Sequence, residues 1–269
     1  MSPSSNINIL FISDIVGRLG RKITKDALPQ LKKKLNIDLT IANGENAAAG
    51  YGITEKVYNE LVETGIDAIT MGNHMFDKKD CASALERCPK IVRPANYPPG
   101  VPGKDHLIIE TAKGKVAVIN LLGRVFMQAV DCPFRVGAAL IDKIKGDVPA
   151  IIVDIHAEAT SEKYAIGYYL DGKASAVLGT HTHVMTADEQ IMAQGTAYIS
   201  DAGMTGAHDS VIGMEKDKII ARFLTQMPHR FEPVTTGEGV LNAVYLSVDP
   251  KTGKAKEIKR IFEIIPSAD

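Results

Sequence analysis

Asp14, Glu45, Asn46, Asn73, His156, His181 and His183 form a set of oxygen and imidazole donors, and each follows or ends an apolar run of the chain. Ile9–Ser13 leads to Asp14, Thr40–Asn43 to Glu45 and Asn46, and Ile69–Met71 to Asn73 and His74. Ile151–Asp154 leads to His156, and Val177–Gly179 to Thr180, His181 and His183. In open α/β sheets, ligands bind in the crevice beyond the carboxyl ends of strands. Carboxylates suit hard divalent cations, and imidazole suits Zn, Mn, Fe or Ni. Two carboxylates, two Asn amides and three His exceed what one tetrahedral metal needs. Two ions about 3.5–4 Å apart and sharing a carboxylate would use them all. In an extended stretch, residues two apart point the same way, so His181 and His183 are expected to face one site. Each segment also has an ordinary alternative. An Asp after a strand serves as a cap or turn residue, and Gly-Glu-Asn and Asn-His are turn compositions. The repetition at five strand ends favours the metal reading.

The elements that must position these residues alternate. Strands are expected at Ile7–Ile12, Leu39–Ala42, Ala68–Met71, Ile151–Ile155 and Ala176–Leu178. Helices are expected over Lys22–Leu35, from an N-cap at Thr54 to a stop at Gly65, over Lys78–Arg87, from Ser161 towards Leu170, and over Glu215–Leu224. The prolines of Arg93–Gly103 mark a loop. Hairpins are expected for His106–Glu110 with Lys115–Leu121, around Gln194-Gly195, and for Gly239–Val248 with Lys256–Ile264. Strand–helix alternation that gives way to hairpins favours two stacked sheets flanked by helices over a purely parallel sheet. No linker or repeat divides the chain, so residues 1–269 read as a single domain.

Composition narrows the function. With 31 basic and 32 acidic residues, the net charge of −1 lacks the basic excess of proteins that grip long nucleic acids. Trp is absent and aromatics are 6%, so an aromatic base-stacking surface is not expected. Cys81, Cys88 and Cys132 are odd in number and form no C-x-x-C pair, which fits reduced thiols in a cytoplasmic protein. The polar Met1–Asn6 segment does not read as a signal peptide, and no apolar run approaches the roughly 18 residues of a membrane span. The partner expected is a small molecule, with neither a long nucleic acid nor a membrane. Oligomeric state is left open, a homo-oligomer included.

The segments Ile-Ser-Asp-Ile-Val-Gly (12–17), Asn-Gly-Glu-Asn-Ala-Ala (43–48), Met-Gly-Asn-His (71–74) and Arg-Pro-Ala-Asn (93–96) make the chain recognisable. So do Asp-Ile-His-Ala-Glu-Ala-Thr-Ser-Glu (154–162), Gly-Thr-His-Thr-His-Val (179–184) and Asp-Ala-Gly-Met-Thr-Gly (201–206). The chain resembles the calcineurin-like metallophosphoesterases, and more closely their YmdB-like branch, from Asn8 to about Ile264. The broad superfamily has Asp-x-His at the first motif, where Val16 stands here, and a bridging Asp where Glu45 stands. The YmdB-like branch shares both changes, with Asn46 filling the vacated position.

The resemblance implies a four-layer α/β/β/α sandwich of two mixed sheets. It implies two divalent ions per chain, Fe or Mn first, with Mg, Zn or Ni as alternatives. Glu45 would bridge them, with Asp14, Asn46 and His183 at one ion and Asn73, His156 and His181 at the other. His74 would face the scissile phosphate. The implied enzyme is a phosphoric ester hydrolase acting on small phosphodiesters, 2',3'-cyclic nucleotides foremost, by in-line attack of a metal-bound hydroxide. His74 would then protonate the leaving alkoxide, since imidazole titrates near neutral pH. Arg93, Arg124, Thr180 and His208 are candidate substrate contacts. Glu158, Thr160 and Thr180 are candidate orienting partners of the His ligands, while His106 and His229 read as structural. Competing readings are a broad phosphomonoesterase, a metal amidohydrolase on a (β/α)₈ barrel and a regulatory binder. The barrel would want an early His-x-His, whereas here it comes late and hairpins interrupt.

Overall fold

Ile7, Ile9 and Phe11 alternate with Asn8, Leu10 and Ile12 in the first strand, β1 (Ile7–Ile12), and every one of the six is buried. Side chains alternate across a strand, so a strand apolar on both faces needs a partner layer on each side. In the computed structural model, which describes residues 6–79 and 81–266, it has both. Ile7, Ile9 and Phe11 point towards a second sheet, and Leu10 and Ile12 towards helices. The polar segment at residues 1–5 lies outside the described residues, as does Asp80.

The first sheet contains β1, β2 (Asp14–Ile15), β3 (Leu39–Asn43), β4 (Ala68–Thr70) and β5 (Ile91–Val92), with β12 (Met204–Ala207), β13 (Gly239–Val248) and β14 (Ala255–Ile265). Its order is β2-β12-β13-β1-β3-β4-β5, and β14 also pairs with β13. β1, β3, β4 and β5 run parallel, and β13 runs antiparallel to β1. The second sheet contains β6 (His106–Thr111), β7 (Gly114–Leu122), β8 (Ala150–His156), β9 (Ala176–Thr180), β10 (Gln190–Ile191) and β11 (Ala197–Ile199), in the order β10-β11-β9-β8-β7-β6. β7, β8, β9 and β11 are parallel, and each end of this sheet is an antiparallel pair.

Helices α1 (Gly17–Leu35) and α2 (Glu55–Glu63) cover the outer face of the first sheet, placing Leu19, Ile23, Leu28, Leu31, Val57 and Leu61 against it. Helices α4 (Pro133–Ile144) and α5 (Thr160–Leu170) cover the second sheet through Ile141, Ile144, Ile166 and Leu170. The inner faces meet in a core of Ile9, Phe11, Ile41, Val118, Ile152 and Leu178. This is the expected four-layer α/β/β/α order with two mixed sheets. Residues 208–238, between β12 and β13, leave the sheet, carry α6 (Lys216–Thr225) and fold back, with Val211 bridged to Met214 and Met214 to Pro233.

Several element boundaries differ from the sequence reading. α1 begins at Gly17, not Lys22. The Gly-rich start looks like loop, yet a Cβ at Gly20 would collide with the Thr205 carbonyl, so helix–strand packing and not a turn explains that glycine. The helix expected over Lys78–Arg87 is reduced to α3 (Cys81–Ala84) and a 3-10 turn over Leu85–Arg87. α5 starts at Thr160, with Ala159 and not Ser161 at its N-cap. α4 has no counterpart in the sequence reading, although Pro133 opens it in the position proline favours.

Thr54 caps α2 as expected, its Oγ1 accepting from the Val57 amide at 3.3 Å. Thr54→Ala should therefore lower stability by about 1 kcal/mol and Thr54→Ser by much less. Urea unfolding midpoints at an unchanged slope would measure this, and equal stability of all three chains would remove the cap from the account.

Candidate metal centre

Asn43 closes β3 and the chain turns at once, presenting Glu45 and Asn46 at the seam between the sheets. The Glu45 amide donates to the Asn43 side-chain oxygen at 3.1 Å, which fixes this turn. Glu45 is 1% exposed, and His156 and Asp14 are wholly buried. Glu45 Oε1 lies 3.0 Å from His156 Nε2, and His156 Nε2 lies 3.0 Å from His181 Nδ1 and 3.1 Å from Asn73 Oδ1. The donor atoms of Glu45, His156 and His181 all fall within 4.8 Å of one another. Beside them, Asn46 Nδ2 lies 3.1 Å from Glu45 Oε1 and 3.1 Å from His183 Nε2, and His183 Nε2 is 4.0 Å from Asp14 Oδ1. Two donor clusters therefore adjoin each other with Glu45 common to both. All seven expected ligand residues lie in or beside this pair of clusters.

A cation fits these donors. Donors about 2.1 Å from one ion, at right angles, are about 3.0 Å apart, which matches the His156 contacts. Asp14 Oδ1 is buried with no hydrogen-bond partner, a costly state for a carboxylate unless something positive meets it. Gly72 completes the cradle, since a Cβ there would collide with Glu45 Oε2 and the His156 ring. Asn46 as placed directs its nitrogen at His183, and coordination would turn the amide over, exchanging two atoms of nearly equal shape.

The histidine tautomers suit the same purpose. Thr180 Oγ1 donates to Asp154 Oδ1 at 2.7 Å, so His156 Nδ1 must donate to Thr180 Oγ1 at 2.8 Å, and Nε2 is the nitrogen that faces the site. His183 Nδ1 donates to the Ile212 carbonyl at 2.9 Å, again aiming Nε2 inward. His181 Nε2 lies 3.1 Å from Glu158 Oε2, which leaves Nδ1 for the cluster. The side chains by themselves form a proton-holding cluster. Burial pushes Asp14 up to about 6 against the pull of His183 and His156. Burial would also raise Glu45, but His156 carries it down to about 2. Burial opposes charge on His156, yet Glu45 lifts it to about 9. Burial and the neighbouring His156 lower His181 to about 3. A cation would replace the proton that His156 holds against Glu45.

Behind these donors, Asp154 accepts from Asn43 Nδ2 at 3.0 Å, Thr70 Oγ1 at 2.5 Å and Thr180 Oγ1. Lys163 on α5 pairs with Asp201 at 2.6 Å, at 2% and 1% exposure. Asp201 also accepts from the Thr182 amide and hydroxyl at 3.1 and 2.7 Å. It thereby holds the turn in which His181 and His183 adopt φ of +99° and +64°. Those two imidazoles share the site, but not because residues two apart in a strand point alike. β9 ends at Thr180, and strained left-handed backbone turns both rings inward.

The substrate-contact candidates fall elsewhere. A cavity of about 390 Å³ opens over the donors, with Glu45, Asn46, His74, His181 and His183 in its wall. Its described lining does not include Arg93, Arg124, Thr180 or His208. Arg93 is turned inward, donating to the Pro94 carbonyl at 2.8 Å. Arg124 is exposed on the loop after β7. Thr180 is buried beneath His156 and orients it. His208 pairs with Glu238 at 2.7 Å and lines a neighbouring cavity that shares His183. Glu158 is where an orienting partner should be, whereas Thr160 is exposed at the start of α5. Asp154, Lys163 and Asp201 were not expected in supporting positions. Asp154 and Asp201 open two of the segments that make the chain recognisable, and that is the signal that could have marked them, whereas Lys163 has none beyond being a base on an apolar helix face.

The model of the YmdB-like protein family matches residues 10–261. The chain belongs to that family. A Bacillus subtilis (strain 168) protein named 2',3'-cyclic-nucleotide 2'-phosphodiesterase is 50% identical over 256 residues, covering 95% of this chain and 97% of that one. A Mycoplasma pneumoniae crystal structure described as a novel phosphatase superposes with a TM-score of 0.91 at 38% identity, covering 98% of this chain and 95% of that one. A hypothetical protein from Thermus thermophilus gives 0.90 at 40% identity, covering 97% and 100%. For this YmdB-like chain, a metallophosphoesterase family and a donor set of Glu and His agree on divalent metal.

Gly72→Ala should displace both Glu45 and His156 while leaving the core intact. Metal content by elemental analysis should fall severalfold at a far-ultraviolet spectrum like the parent's. Full metal retention would mean that the cradle does not need the missing side chain.

Proposed function

We propose that this chain is a dinuclear metal-dependent phosphodiesterase of small substrates, 2',3'-cyclic nucleotides foremost. The observation that carries the reading is Glu45, one buried carboxylate common to two adjoining donor clusters at the floor of an open cavity. The name of the Bacillus subtilis relative supports the substrate class. Asp14, Asn46 and His183 would hold one ion with Glu45, and Asn73, His156 and His181 the other. Iron or manganese suits this oxygen–imidazole set. The ions would supply charge neutralisation and Lewis acidity for the phosphate.

His74 stands apart from both clusters. Its amide donates to Glu45 Oε2 at 3.1 Å, its Nδ1 lies 2.6 Å from Asp77 Oδ2, and its ring packs edge-on against Tyr51. Asp77 thus fixes the ring while the side chain, 27% exposed, lines the cavity. We assign it the proton for the leaving oxygen. Three free cysteines support placement in the reducing cytoplasm. No described helix is long and apolar enough to cross a membrane. The continuous core between the sheets supports one domain over the whole chain.

A screen of cyclic nucleotides, monoesters and generic diesters with Mn²⁺, Fe²⁺ and Mg²⁺ added separately tests the activity. Protein prepared without chelator should approach two metal ions per chain. Glu45→Gln should lose more than about nine-tenths of turnover, at least 1.4 kcal/mol of transition-state stabilisation, and hold metal weakly. Full activity with one ion per chain would overturn the shared-carboxylate reading, and monoester hydrolysis alone would make the enzyme a phosphatase.

His74→Asn should cut cyclic-nucleotide hydrolysis by roughly 10²–10⁴-fold. Bis-(p-nitrophenyl) phosphate should suffer far less, because nitrophenolate leaves without a proton, and metal content should stay the same. Equal losses on both substrates would remove His74 from the role of acid.

A further inference from the structure

The cavity has two unlike halves. One is the polar floor of Glu45, Asn46, His74, His181 and His183. The other is a wall of Tyr51, Ile212, Met214, Phe223 and Phe231 in the same cavity. This wall joins two distant segments. Tyr51 lies in the turn after β3, and the other four come from the excursion between β12 and β13. The excursion is tied to the floor directly, through the Ile212 carbonyl that accepts from His183 Nδ1. It has its own small core of Val16, Met204, Met214 and Ile219, with Val211 and Phe231 packed against it. Phe231 is partly buried, and Arg222 covers one face of its ring at 4.6 Å. Phe223 is 73% exposed and Ile212 47% exposed, although both line the cavity that has the polar donors in its floor.

An apolar, partly aromatic surface adjoining a phosphate-handling floor is the arrangement that a nucleotide requires. Its phosphate is charged and its base is a flat ring with apolar faces. We propose that the wall of Tyr51, Ile212, Met214, Phe223 and Phe231 is the site of the substrate's nucleobase. This rests on the reading of the floor as a phosphodiester site. The volume of about 390 Å³ falls within the roughly 300–1,000 Å³ of small-molecule pockets. Base–aromatic stacking tolerates every base, because each has a π face. Within the wall, the Tyr51 hydroxyl is the one side-chain group able to hydrogen-bond a base edge. Apolar pockets discriminate weakly between similar ligands, whereas strong rejection comes from buried polar groups left unpaired. The wall therefore recognises a base as such, without strongly selecting which. It also modifies the expectation from composition, since few aromatics suffice when a fold gathers three of them in one cavity.

Two measurements test this separately from the activity. In the first, kcat/KM is compared for 2',3'-cyclic AMP, 2',3'-cyclic CMP and methyl ribofuranoside 2',3'-cyclic phosphate, which lacks a base. The parent should favour the nucleotides over the base-free ester by at least tenfold and differ less than about tenfold between the two bases. In Phe231→Leu, which keeps apolar volume but not the aromatic plane, and in Phe223→Ala at an exposed position, the nucleotide-to-base-free ratio should drop several-fold to tenfold. In the second, saturation-transfer NMR with adenosine and Mg²⁺-loaded protein should show stronger transfer to the adenine H2 and H8 than to the ribose protons, weakened in both variants. Equal kcat/KM on nucleotide and base-free ester, an unchanged ratio in both variants, or a preference above about 100-fold for one base would overturn the proposal. Adenine contact without cyclic-nucleotide hydrolysis would uphold the base site and sink the phosphodiesterase reading. Hydrolysis without adenine contact would do the reverse.

Discussion

Asp154 is the point on which the architecture turns. Its carboxylate is wholly buried, and burial raises its pKa against the pull of His156 and three hydrogen bonds. Those bonds come from Asn43 at the end of β3, Thr70 at the end of β4 and Thr180 at the end of β9, while Asp154 itself lies on β8. One side chain thus joins strands of both sheets at the level where the donors emerge. A buried acceptor with several donors is stable only while all of them stay in place. The relative position of the sheets and the tautomer of His156 are therefore set by the same group, since Thr180 passes the constraint to the imidazole.

A second buried pair repeats this logic a layer further out. Lys163 and Asp201 fix Thr182, and Thr182 stands between two histidines in strained backbone. Breaking a buried pair by removing one partner costs roughly 3–5 kcal/mol, because the other charge is left alone. The pair thus holds the geometry of His181 and His183 against relaxation, at the expense of bringing a lysine into the core. The donors tolerate strain and crowding because two stapled sheets over-determine them.

The legibility of the sequence follows the range of each interaction. Donors at strand ends are legible because strand, turn and ligand are adjacent: Ile69–Met71 and then Gly72, Asn73 and His74 form one local pattern. The two-sheet architecture is legible from the change of alternation into hairpins and from strands apolar on both faces. Segments stabilised mainly by distant partners are not legible in this way. β2 and β12 are short strands that pair with each other, Asp14 opposite Met204. Arg93 is a candidate phosphate contact in the sequence, where an ordinary surface arginine looks the same, and its loop folds it inward. The Phe223 and Phe231 wall has no local signature, since it becomes a cavity wall only when residues 208–238 fold back over the turn that bears Tyr51.

The pairing of β1 with β13 sets Ile7 opposite Val248 and Ile12 opposite Ala243 in the middle of the first sheet. During synthesis, the strand that begins the sheet must wait for almost the entire chain before its antiparallel neighbour emerges from the ribosome. Until then, one edge of β1 is apolar on both faces with its amides and carbonyls unsatisfied, the kind of surface on which chains associate. The donors of the metal centre, from Asp14 to His183, all precede β13 in the chain, so the strand that closes this edge is made after every one of them. The edge of β1 thus stays open while every strand from β2 to β12 is made.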